Sequence, residues 1–116
     1  MNKGQLSLLI EYALQFLLES ESVKSAGITK KHVAAGGKNQ IVTLIRGVVA
    51  RIVVEVLGYD KDILCPFFNC GPANVYLITR NANNLYETDS DPGKNFKAMA
   101  DATLAAVVKK FGEVDD

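Results

Sequence analysis

A chain of 116 residues can bury one hydrophobic core and is too short for two. Hydrophobic residues make up 48% of it, so burial can offset chain entropy. Two cysteines, Cys65 and Cys70, are too few for the disulfide framework of a small secreted domain. The formal net charge of zero argues against tight, indiscriminate binding to polyanions.

Four helical blocks are predicted in chain order. The first runs from Gln5 to Ser20, apolar around most of its circumference (Leu6, Leu9, Ile10, Ala13, Leu14, Phe16, Leu17), with Glu11, Gln15 and Glu19 on the remaining strip. It is too short to span a bilayer, and no small-residue cleavage site follows it, so no signal peptide and a cytoplasmic location are predicted. A serine-rich loop through Gly27 follows, then a short helical turn from Thr29 to Ala34 with Thr29 as N-cap, broken by Gly36-Gly37. The second block, Lys38 to Leu57, is rich in Val and Ile and suits a strand by propensity. Its periodicity disagrees. Gln40, Thr43, Arg46, Gly47, Ala50, Arg51 and Glu55 recur every three to five residues, which predicts a long core helix closed by Gly58.

Asp60 can cap a short helix through Cys65, and Pro66, Gly71 and Pro72 bound a turn. Val75, Ile78, Ala82 and Leu85 at helical spacing predict a helix from Ala73 to Tyr86, ended by the turn Thr88 to Gly93. The last helix, Lys94 to Phe111, places Phe96, Met99, Ala100, Thr103, Leu104, Val107, Val108 and Phe111 on one face.

Charge is distributed unevenly. Residues 1–21 carry −2, residues 22–54 carry +6 with no acid, residues 55–93 carry −4, and the tail is balanced. The six positives (Lys24, Lys30, Lys31, Lys38, Arg46 and Arg51) form a candidate phosphate footprint, with Arg51 also placed to pair with Glu55 at i, i+4. Asn74, Asn81 and Asn84 could reach base edges, because asparagine bonds adenine bidentately.

Catalytic chemistry has little to draw on. His32 is the only histidine, so neither a triad nor a histidine metal cluster is expected. Cys65 and Cys70 stand five apart, without zinc-knuckle spacing, and are expected to be packed or turn thiols. Gly36-Gly37-Lys38 lacks the remaining residues of a phosphate-binding loop, and Asp89 and Asp91 offer too few oxygens for calcium. No enzyme, cofactor or metal is expected.

From about Ala26 to Phe96 the order of elements resembles the C-terminal DNA-binding domain of the bacterial replication initiator DnaA, a helix-turn-helix of the Trp-repressor type. Ile28-Thr29 and Lys38 match that family's entry and basic loop, and Arg46 falls on the arginine of its long helix. Ile63-Leu64 to Phe67 resemble the first helix of the motif, Asn74-Val75-Tyr76-Leu77 the start of the recognition helix, and Arg80 a basic position along it. The family's Gly-Gly-Arg-Asp-His-Thr-Thr-Val signature is replaced by Phe68-Asn69-Cys70-Gly71-Pro72-Ala73-Asn74-Val75, which keeps only the valine.

The resemblance implies an all-α, single-domain helical bundle with a Trp-repressor/DnaA-like helix-turn-helix. Residues 1–22 would form an extra N-terminal helix and residues 23–116 the helix-turn-helix-like part, together one compact domain. It further implies a nucleic-acid-binding module for duplex DNA acting in replication or transcription control, contacting mainly the phosphate backbone. The predicted contacts are Lys30, Lys31, Lys38, Arg46, Asn74, Arg80 and Asn81. The alternative is a protein-interaction module that keeps the scaffold without reading DNA, with the N-terminal helix as a dimer or partner face. No membrane association is expected.

Overall fold

Asn2 starts helix α1 (Lys3–Leu18): its Oδ1 accepts from Gln5 N at 2.8 Å, while Gln5 Oε1 accepts from Asn2 N at 3.1 Å. This reciprocal capping box moves the helix start two residues ahead of the predicted Gln5. A computed structural model describes residues 2–37 and 39–112, and every regular element among them is helical. The expectation of an all-α single-domain bundle is met. The serine-rich segment expected as loop holds a one-turn helix, α2 (Glu21–Ser25), followed by α3 (Lys30–Ala35). Thr29 caps α3 together with His32, whose Nδ1 accepts from Thr29 N at 3.0 Å, so the single histidine serves as a capping residue.

Asn39 opens α4 (Gln40–Ala50), its Oδ1 accepting from Ile41 N and Val42 N at 2.8 and 3.2 Å. The predicted long core helix is therefore real, but its second half, Arg51–Val56, widens into π-helical geometry before Leu57 N closes on Ile52 O. A 3₁₀ turn (Lys61–Leu64) capped by Asp60 runs into α5 (Cys65–Phe68), and Asn69 in the left-handed region ends it. Three residues later Pro72 begins α6 (Pro72–Glu87). Ser90 caps α7 (Asp91–Phe111), which starts three residues earlier than the periodicity indicated because the Asp91-Pro92-Gly93 turn is itself helical.

Helix α4 is the centre of the packing and touches α1, α3, α6 and α7. Its arc of small residues is not a solvent face. Gly47 and Ala50 are buried, and a Cβ on Gly47 would stand 3.1 Å from the Phe96 ring and 3.3 Å from Ala82. Absence of a side chain there lets α6 and α7 close on α4. Gly93 serves the same purpose at the α6–α7 corner, where a Cβ would meet Thr88 O at 2.3 Å.

Helix α1 lies against α7 and α4. Leu6, Leu9, Ile10, Ala13, Leu14 and Leu17 are all buried, and Tyr12 meets the Phe111 ring edge-on at 5.8 Å. Only Leu8, 63% exposed, remains a large apolar side chain open to solvent on this helix. Most of the apolar circumference of the N-terminal helix, the surface expected as a dimer or partner face, therefore lies against the core, with Leu8 exposed and Tyr12, Phe16 and Leu18 partly so. No helix among the described residues is long and apolar enough to cross a membrane.

Candidate nucleic-acid interface

The two arginines of the basic segment turn inward. Arg46 Nε donates to Val33 O at 2.8 Å, and Nη2 donates to Ala34 O at 3.1 Å and Phe68 O at 2.6 Å. These carbonyls belong to the ends of α3 and α5, where helices leave acceptors without intrahelical partners. The guanidinium also lies 5.1 Å from the Phe68 ring and packs against Gly36, where a Cβ would approach it to 2.9 Å. Partial burial pushes its pKa below the usual arginine value, opposed by the Cys70 thiol, without removing the charge. Arg46 is a staple between three helices.

Arg51 does not pair with Glu55. Its Nη1 donates to Asn83 Oδ1 at 2.8 Å and its guanidinium lies over the Tyr86 ring, 3.5 Å from the centroid. Tyr86 in turn donates to Asp101 Oδ1 at 2.8 Å, which joins the π-helical continuation of α4 to α6 and α7. This hydrogen bond, with burial second, raises the Tyr86 pKa above its ordinary value.

The lysines remain outside. Lys30 is exposed and ion-paired with Glu11 of α1, so its charge is locally balanced. Lys24 and Lys31 are exposed without an ion pair among the described residues. Lys38 lies outside the described residues. Of the six positives, therefore, two are structural and one is neutralised in place.

Helix α6 carries the other predicted contacts, and Asn74, Arg80 and Asn81 are all exposed. Gly71 provides no side-chain cap to α6, Pro72 has no N–H, and the N–H groups of Asn74 and Val75 already donate to Gly71 O at 3.1 and 3.2 Å, so the first turn keeps only the Ala73 N–H for an outside acceptor. Asn74 and Asn81, two turns apart, line one cleft with Arg46 and with Gly37 of the α3–α4 loop. Arg80 faces a separate shallow groove beside Lys61, Glu55 and Tyr76, where one carboxylate partly cancels two cations. The structure thus brings Arg46, Asn74 and Asn81 together and leaves Arg80, Lys30 and Lys31 apart from them.

The apolar part of this face was not anticipated. Tyr76 and Leu77 are 52% and 44% exposed, and Leu77 joins Leu44, Ile78, Leu85 and Phe96 around the cleft, which has a volume of about 290 Å³. A signal existed in the sequence: Tyr76 and Leu77 fall off the Val75, Ile78, Ala82, Leu85 face that the helix buries. Cys65 and Cys70 are free, half-buried thiols against the core, and burial together with the nearby Asp62 pushes the Cys65 pKa up, away from a reactive thiolate. No cluster of three or more metal-ligating side chains occurs among the described residues.

No family model, curated protein or solved structure matches the chain. The resemblance to the DnaA C-terminal domain accordingly stands on the order of elements and the residues quoted for it.

Proposed function

We propose that this chain is a non-enzymatic nucleic-acid-binding module of helix-turn-helix type, in which α5, the Asn69-Cys70-Gly71 turn and α6 form the motif and α6 meets duplex DNA. The observation that carries this reading is the outer face of α6. From Pro72 to Asn84 it exposes Asn74, Arg80, Asn81 and Asn84 with no acid on the helix before Glu87. The α3–α4 loop lies beside its first turn, as Gly37 and Asn74 border one cleft. Contacts are mainly to phosphate: Arg80 and Lys31 as cations, with the Ala73 N–H at the α6 start as a further donor. Base reading is confined to the asparagines. Replication or transcription control is the process such a module would serve.

Polarisation titration of the full chain against duplex DNA tests this. Two cationic contacts set a salt slope near −2, so affinity falls roughly tenfold between about 50 and 200 mM salt. Binding that is absent at low salt would sink the proposal. A second reading, docking of a protein partner on α6, is favoured by the exposed Tyr76 and Leu77. Under it DNA binding is absent, and Leu77→Asp abolishes partner capture without lowering the melting temperature.

A further inference from the structure

We propose that the cleft between α4 and α6 is a binding site for a small apolar carboxylate, its alkyl body against Leu44, Leu77, Ile78, Leu85 and Phe96 and its carboxylate toward Arg46. The site goes beyond the nucleic-acid reading and does not depend on it.

Size comes first. A volume of about 290 Å³ is that of roughly ten water molecules at about 30 Å³ each, close to the ten heavy atoms of an eight-carbon carboxylate. Its lining is mostly apolar with a few convergent polar groups (Arg46, Asn74, Asn81 and Thr43), the usual make-up of a small-molecule site.

Charge sets the class of ligand. Arg46 is half-buried, and its described partners are all uncharged: three backbone carbonyls and the Phe68 ring. It forms no ion pair among the described residues, and no acidic side chain among them lines the cleft. Its Nη1 has no hydrogen-bond partner among the described residues and is not a buried orphan, so it keeps access to solvent. A partly desolvated cation with only neutral partners favours an incoming anion, and the planar guanidinium edge suits a carboxylate. Asn74 and Asn81 add amide donors at the rim, about 10 Å apart along α6 at about 1.5 Å per residue. A neutral alcohol of the same length would fill the apolar walls and leave the charge unanswered.

The test is a pair of ¹H–¹⁵N NMR titrations of the full chain, one with octanoate and one with 1-octanol. Octanoate is expected to shift the side-chain amides of Asn74 and Asn81 and the backbone amides of Leu77 and Ile78 saturably, at least about tenfold tighter than octanol. Asn81→Asp and Asn74→Asp change exposed residues, leave the melting temperature in place and bring a negative charge to the rim. Each is expected to weaken octanoate by about tenfold and leave octanol unchanged. Equal affinity for the two compounds would overturn the anion site. Shifts that map away from α4 and α6, the absence of saturable shifts, or octanoate binding indifferent to both variants would do the same.

Discussion

The central α4 with its π-helical extension and the neighbouring α6 both carry arginine, and they use it in opposite ways. Arg46 and Arg51 point into the molecule, one onto the carbonyl ends of α3 and α5, the other onto Asn83 and the Tyr86 ring. Arg80 of α6 points out, as do Asn74 and Asn81. The difference follows from surroundings. A helix packed on several sides can hold a cation only where carbonyls and aromatic faces receive it, whereas a helix with one free face leaves its cations to water. Six positives in a run of sequence are therefore not six positives on a surface.

Removal of each residue can break or sharpen this contrast. Arg46→Ala is expected to have the largest effect: three hydrogen bonds to helix-terminal carbonyls and the contact with Phe68 are lost together, which costs about 3 kcal/mol in urea unfolding. Arg46→Lys should recover less than half of that, since an ammonium lacks the planar fork. A loss below about 0.5 kcal/mol would mean that Arg46 is not a staple at all.

Arg51→Ala removes one hydrogen bond and one stacked ring and should cost about 1–2 kcal/mol by the same measurement. Tyr86→Phe comes next, at about 1 kcal/mol or less near neutral pH because the bond to Asp101 is exposed. Its pH dependence is the sharper readout. The folded-state pKa of Tyr86 is raised, so its contribution is complete below the ordinary tyrosine value near 10 and is lost as pH rises through the raised folded value. The stability gap between wild type and variant should therefore shrink above about pH 10. A gap that stays constant in alkali would contradict the Tyr86–Asp101 bond. The smallest stability effect belongs to Arg80→Ala, within about 0.5 kcal/mol, while the salt slope of duplex DNA binding falls by about 1. A stability loss above 1 kcal/mol would show that Arg80 is held as firmly as its counterparts in α4.

Much of the candidate site was legible as exposure but not as arrangement. The period of Val75, Ile78, Ala82 and Leu85 oriented α6 correctly and left Asn74, Arg80 and Asn81 outside. The same reasoning treated the Gly47–Ala50 arc of α4 as a less crowded face. It is buried because α6 and α7 need that close approach, and one helix's sequence does not state what its neighbours require. The one-turn α2 was hidden for a related reason: five residues with one buried side chain, Val23, show no period.

The sequence by itself determined the helical class, the caps at Thr29 and Asp60, the breaks at Gly36 and Gly58, and the apolar stripes that build the core. These depend on local backbone chemistry and on a period of 3.6 residues, both carried by neighbours along the chain. Tertiary structure alone decided which cations serve the fold and which face solvent. A guanidinium's choice between Val33 O, Ala34 O and Phe68 O and a phosphate in solution depends on acceptors 12 to 22 residues away, brought within reach only when the helices pack.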